Sequence, residues 1–296
     1  MKLSDEQRAK IARLSEADRL ALIGVMRRKQ WAKIARDEQK SPPVQDNWFM
    51  LYFQGGRGSG KSRSMSEVMI DNLATRPGTR GFLLGPTMRH VTQVMLNGES
   101  GILTLIGDES LYNFRELKGE VNFANGSQLI LYTAERQDLF RGNEFHYGWM
   151  DEPAEFENGI EGYETLVDAM RLNDGNPVHL YVSGTPKQVP LTKYLKGKCA
   201  DRPDRYIYRQ GSTEDNLSNL DENMRERMEA ARGTRRYMQE YLGVLLEDAE
   251  DALWETELLA NIQVDADDLP KMDRLIIAID PALTTDKKAD ETGIIL

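Results

Sequence analysis

Gly55-Gly56-Arg57-Gly58-Ser59-Gly60-Lys61-Ser62 is the stretch that decides the fold. The apolar run Trp48-Phe49-Met50-Leu51-Tyr52-Phe53 ahead of it reads as a buried strand, and Met65, Val68, Met69 and Leu73 behind it recur at helical spacing. Strand, glycine loop and helix in that order form a phosphate-binding loop. Glycines let backbone N–H groups turn inward around a β-phosphate, and the helix start adds its positive dipole end. At these positions Lys61 reaches the β- and γ-phosphates, and the Ser62 hydroxyl can hold Mg²⁺. The expectation is a site for a nucleoside triphosphate with Mg²⁺, which the further signatures below narrow to ATP.

A second signature lies about 90 residues on. Tyr147-Gly148-Trp149-Met150-Asp151-Glu152 is an apolar strand ending in two carboxylates. Asp151 is placed to hold the Mg²⁺ shell, and Glu152 to orient and deprotonate an attacking water. A third is Val182-Ser183-Gly184-Thr185-Pro186, whose small and hydroxyl residues can sense the γ-phosphate and relay its loss. Short apolar runs at 81–86, 129–132, 145–150 and 178–182, separated by helical or polar segments, predict an α/β fold. It is a P-loop NTPase with a mainly parallel central sheet flanked by helices, of the additional-strand, catalytic-glutamate type. Asn125-Gly126 predicts a hairpin turn between residues 121–123 and 129–132.

The 296 residues are 40% hydrophobic and 29% charged, with a formal net charge of −10 and one cysteine, Cys199. No internal disulfide and no thiolate-cluster metal site can form. No apolar run approaches the roughly 20 residues of a membrane span, and the start of the chain lacks a secretory signal, so a cytoplasmic protein is expected. Residues 5–37 read as an amphipathic helical arm ending at Ser41-Pro42-Pro43. From Lys187 to Arg209 basic residues interleave with Tyr194, Tyr206 and Tyr208, which suits either a nucleic-acid backbone or a solvated charged face. A helical stretch is expected over residues 221–246. Arg274 to Pro281 reads as a strand ending in Asp280, and the chain stops within a second strand, as expected of a piece of a longer protein.

These elements, in their order, resemble the large terminase subunits of tailed bacteriophages. The resemblance rests on the phosphate loop, Leu139-Phe140-Arg141-Gly142, Asp151-Glu152-Pro153-Ala154 and Ser183-Gly184-Thr185-Pro186. It extends through Asp215-Asn216-Leu217 and Gln239-Glu240-Tyr241-Leu242-Gly243 to Asp280-Pro281-Ala282. It implies a DNA-packaging motor divided into an N-terminal helical arm (1–43), an ATPase core (44–210), a small helical linker subdomain (211–270) and the first strands of a ribonuclease H-like nuclease domain (271–296). Ser183, Gly184 and Thr185 would form the coupling motif, and Gln39, with Trp48 as an aromatic alternative, would line the adenine pocket. Asp280 would be the first metal-binding carboxylate of the nuclease, which uses Mg²⁺ or Mn²⁺ only in the full-length protein. Implied partners are double-stranded DNA, the portal protein, the small terminase subunit and further copies of the chain. The copies would form a ring on the procapsid in the host cytoplasm, with a monomer in isolation as the alternative and no membrane involved.

Two arginines compete as the transition-state cation. Arg141 suits a finger entering a neighbouring subunit's site, with an ion pair to Glu144 or Asp138 as its bland alternative, whereas Arg57 would act within its own subunit. Two other functions fit the first two signatures: a helicase-like nucleic-acid-dependent ATPase, or a nucleotide-gated docking component with little turnover.

Overall fold

The computed structural model describes residues 11, 13–134, 140, 142–157, 159–246, 278–280 and 293–295. The chain divides into two compact units, Met1–Glu247 and Asp248–Leu296.

The first unit is built on β1 (Met50–Gly55), whose six residues are all buried. A parallel strand covered on both faces reads as a continuous apolar run, as this one does. Its side chains alternate: Leu51 and Phe53 enter one core layer with Leu83, Trp149 and Tyr181, while Met50 and Tyr52 enter the other with Phe82, Met150 and Val182. The remaining strands are β2 (Arg80–Gly85), β3 (Tyr112–Arg115), β4 (Glu120–Phe123), β5 (Gln128–Thr133), β6 (Tyr147–Asp151), β7 (His179–Gly184) and β8 (Tyr206–Gly211). Their order is β3-β4-β5-β2-β6-β7-β1-β8. From β5 to β8 every pairing is parallel; β3, β4 and β5 pair antiparallel, with Gly126 at φ +81° in the β4–β5 turn. β7 lies between the strand of the phosphate loop and β6, which carries Asp151. That is the additional strand the sequence predicts.

Helices cover both faces. α1 (Glu16–Ile34) starts at Ser15, whose hydroxyl accepts the Asp18 N–H. It packs on α2 (Lys61–Thr75), with Gly24 so close to Ala74 that an added Cβ would sit 2.3 Å from that residue's own. Arg27 forks onto the buried Glu67 of α2 at 3.0 and 2.5 Å. On the opposite face lie α3 (Gly159–Ala169) and α4 (Pro190–Asp201). The Lys187–Arg209 stretch therefore becomes a helix and an edge strand. Tyr194, Tyr206 and Tyr208 pack against the second core layer, and Lys198 sits 4.7 Å from the Tyr194 ring centre.

The helix expected over 221–246 is broken. α5 (Glu222–Ala230) ends before Gly233, whose φ is +79°, and a new wide turn runs over Tyr237–Tyr241. Among the described residues no helix is long and apolar enough to cross a membrane. In the second unit β9 (Ala278–Asp280) pairs antiparallel with β10 (Gly293–Ile295), placing Asp280 opposite Gly293.

Candidate active site

The parallel strands deliver their C-terminal ends to one edge of the sheet. The phosphate loop follows β1, Glu152 follows β6, and Thr185 follows β7. Gly58 (φ +77°) and Gly60 (φ +89°) occupy the left-handed region that the loop's curl requires. Gly60 caps α2, so the first-turn N–H groups of Lys61 and Ser62 have no intrahelical acceptor and remain for an anion. The Lys61 ammonium is buried and donates to the carbonyls of Gly55 (2.9 Å) and Gly56 (3.1 Å). Burial lowers its pKa, while Glu152 and Asp151 oppose that shift.

Asp151 is buried, with one partner on each carboxylate oxygen. Its Oδ1 accepts the Ser183 hydroxyl at 2.5 Å, and its Oδ2 lies 2.8 Å from His90 Nε2. The hydrogen bond to Asp151 raises the His90 pKa above the ordinary imidazole value, with burial opposing. Ser183 accepts in turn from Trp149 Nε1 at 2.8 Å. Glu152, at φ +51°, is the one non-glycine residue with positive φ among the described residues. Such a conformation persists where surrounding structure dictates it. Here the Glu152 N–H donates to Ser183 O at 2.8 Å, and its carboxylate accepts from Thr185 N (3.0 Å) and Thr185 Oγ1 (3.2 Å). Gly184 permits the approach, because a Cβ there would lie 2.9 Å from Pro153.

A third layer of contacts comes from residues 211–246. Arg57 N donates to Glu240 O at 2.6 Å, Thr213 Oγ1 to Arg57 O at 2.7 Å, and Asn216 Nδ2 to Gly58 O at 2.7 Å. Gln239 Nε2 donates to Pro186 O at 2.6 Å, joining the same segment to the stretch after β7. Together these surround a cleft of about 650 Å³ lined by Arg57, Lys61, His90, Glu152, Thr185, Lys187, Arg236 and Glu240, among others. The Glu240 carboxylate lies 3.1 Å from Arg236 and 3.7 Å from Arg57. His90, Thr213, Asn216, Arg236 and Gln239 were not assigned roles from the sequence. The quoted Asp215-Asn216-Leu217 and Gln239-to-Gly243 motifs were the signal for two of them.

Gln39 reaches the loop from outside: its Nε2 is 3.5 Å from Gly60 O, its Oε1 accepts from Arg36 N at 3.1 Å, and Arg36 Nη2 donates to Ser59 O at 2.5 Å. Trp48 is buried in the core, stacked on His179 with ring centres 3.9 Å apart. Arg141 lies outside the described residues. Glu144, one of its alternative partners, pairs with Arg171 at 2.7 Å. The side chain of Asp280 is likewise outside the description. Among the described residues no cluster of three or more His, Cys, Asp or Glu could hold a metal. A magnesium carried by nucleotide phosphates needs no such cage, only one or two protein oxygens beside the phosphates.

Sheet order, loop and carboxylates define a P-loop nucleoside-triphosphatase fold with an additional strand. The family model "Terminase large subunit, T4likevirus-type, N-terminal" matches residues 52–261. The chain belongs to the large terminase family. Its fold is that of the ATPase domain of the Thermus phage P74-26 large terminase, at 18% identity and a TM-score of 0.52, covering 70% of this chain and 94% of that one. The large terminase of the thermophilic bacteriophage D6E in complex with ADP matches at 16% identity and a TM-score of 0.54, covering 78% of this chain and 53% of that one. The HK97 bacteriophage large terminase matches at 11% identity and 0.50, covering 67% and 47%. The chain thus spans about half of those two terminases. No curated protein matches it.

Proposed function

We propose that this chain hydrolyses ATP to drive double-stranded DNA into a procapsid, as the motor portion of a large terminase. The observation that carries the reading is the convergence of Lys61, Asp151 and Glu152 at the C-terminal ends of parallel strands β1 and β6, with Thr185, at the end of the β7 strand between them, holding the Glu152 carboxylate. The D6E terminase solved with ADP and with ATP-γ-S supports the choice of nucleotide. Ser62 and Asp151 would hold Mg²⁺, which would neutralise phosphate charge as it develops. Lys61 leaves its loop carbonyls for the phosphate oxygens. Glu152 takes the proton of the attacking water, and Ser183, Gly184 and Thr185 pass the change to residues 211–246 through Gln239. Arg141 of a neighbouring copy, or Arg57 in the same chain, supplies the transition-state cation. Residues 1–43 serve as the arm and 211–270 as the linker, while 271–296 begin a nuclease domain whose cutting activity is not expected in this chain. Portal, small subunit and a ring of copies complete the motor, which works in the host cytoplasm on a docked procapsid.

Steady-state phosphate release with Mg²⁺, with and without duplex DNA and portal-bearing procapsids, tests the proposal. Hydrolysis stimulated by the procapsid complex is expected. Absence of turnover in every combination would reject it, and stimulation by single-stranded nucleic acid alone would favour a helicase-like motor.

A further inference from the structure

Asp151 is gripped from two sides, and only one of the grips belongs to the sequence motifs. Ser183, on the neighbouring strand β7, donates to Oδ1; the His90 ring meets Oδ2 at 2.8 Å from a different direction. His90 stands in Pro86-Thr87-Met88-Arg89-His90, just past the end of β2, which pairs with β6 directly. Three features fix the ring. The Thr87 hydroxyl accepts the His90 N–H at 3.2 Å, and Val91 N closes the turn on Thr87 O at 3.1 Å. Gly85 leaves the ring its space, since a Cβ there would stand 3.1 Å from His90 Cδ2. The Asp151 side chain is 4% exposed and that of His90 24%, so the imidazole lies between the buried carboxylate and the open cleft.

The chemistry of this arrangement is that of an outer-shell partner. An ionised carboxylate offers about four lone-pair sites on its two oxygens. One is taken by Ser183 and one by the imidazole N–H, which leaves lone pairs for a further partner. Carboxylates that carry a metal are usually oriented by such hydrogen bonds, and losing the partner costs about 10–100-fold in metal affinity. Resting on the ATPase reading above, we propose that His90 is a positioning residue for the divalent cation. Its Nε2–H fixes the Asp151 carboxylate so that the metal-bound nucleotide, rather than the nucleotide alone, depends on it.

The test separates metal from nucleotide. The affinity of a fluorescent ADP analogue is measured with Mn²⁺ and again with EDTA, for the wild-type chain, His90→Ala and His90→Gln. The glutamine amide places a donor near the position of the imidazole Nε2. The wild-type chain should bind more tightly with Mn²⁺ than with EDTA. His90→Ala should lose about 10-fold of that gain, with its EDTA affinity unchanged, and His90→Gln should recover most of it. A full Mn²⁺ gain in His90→Ala, or a His90→Gln chain as weak as His90→Ala, would overturn the assignment. Equal losses with Mn²⁺ and EDTA would mark a purely structural role and overturn it too. A wild-type chain that binds no nucleotide in either buffer would instead reject the ATPase reading, and this inference with it.

Discussion

Thr185 holds the Glu152 carboxylate with two groups at once, its backbone N–H at 3.0 Å and its hydroxyl at 3.2 Å. The first residue past β6 and the first past β7 are thereby locked together, so the group that would activate water cannot move without the segment that would report phosphate loss. Thr185→Val removes the hydroxyl and keeps the N–H. One hydrogen bond to a charged group contributes roughly 1.5 kcal/mol, so turnover should fall about tenfold with little change in KM for ATP. Glu152→Gln should still bind ATP but lose turnover by about 10²-fold or more. Rapid-mixing phosphate release measures both, and a Thr185→Val chain with wild-type turnover would break the link between the two residues.

Lys61 makes a different kind of contribution. Its ammonium satisfies two loop carbonyls, and burial already disfavours its charge. A triphosphate replaces neutral acceptors with anionic ones, and charge-assisted hydrogen bonds are about twice as strong. Lys61→Ala should weaken ATP-γ-S binding by about 10-fold or more, read by calorimetry. Wild-type affinity in that variant would remove Lys61 from the phosphate site.

The clamp of residues 211–246 on the loop depends on a missing side chain. A Cβ on Gly56 would stand 2.3 Å from Tyr241 O and 2.5 Å from Thr213 Oγ1, and a backbone carbonyl cannot yield cheaply. Gly56→Ala should cost about 1–3 kcal/mol and speed proteolysis within residues 211–246. Gly197, inside α4 with nothing within 4 Å of its added Cβ, is the control. Gly197→Ala should be neutral or stabilise by up to about 1 kcal/mol. Equal melting temperatures for Gly56→Ala and the wild-type chain would dismiss the clamp.

The strands that lead into the phosphate loop, the Asp151-Glu152 pair and the Ser183-to-Pro186 turn were legible because each is an apolar run followed at once by a glycine-containing or charged turn. The additional strand was legible in kind from the catalytic-glutamate signature. The clamp was not, because Thr213 and Arg57 stand 156 residues apart and nothing local to Thr213 announces its partner. β8 escaped for another reason. At the sheet edge, Tyr206 to Tyr208 are half-buried and Arg209 and Gln210 exposed, so its polarity resembles a solvated surface. The helix expected over 221–246 failed at Gly233, whose left-handed backbone lets Thr234 start a new turn by accepting the Tyr237 N–H at 3.1 Å. His90 carried no pattern at all, and only the fold brings it to Asp151.

His179 gives the fold a pH dependence whose sign can be worked out. It is fully buried in β7, its Nε2 donates to Val44 O at 2.8 Å, and its ring stacks on Trp48. Burial pushes its pKa from 6.5 down to about 4. The folded chain therefore keeps this imidazole neutral at pH values where the unfolded chain protonates it. Between those two values the unfolded state binds more protons, so stability falls as pH falls. The contribution of the neutral ring is complete above pH 6.5 and is lost by about pH 4. A shift of that size corresponds to about 3 kcal/mol. His179→Gln keeps an amide donor for Val44 O and cannot titrate. Urea unfolding from pH 7 to 4, followed by Trp fluorescence, should show the wild-type chain losing its margin over His179→Gln by up to that amount as the solution is acidified. Other groups titrate over the same range, His90 with the opposite sign, but they are common to both proteins and cancel in the difference. Parallel stability curves for the two chains would show that His179 titrates in the fold as it does in the open chain.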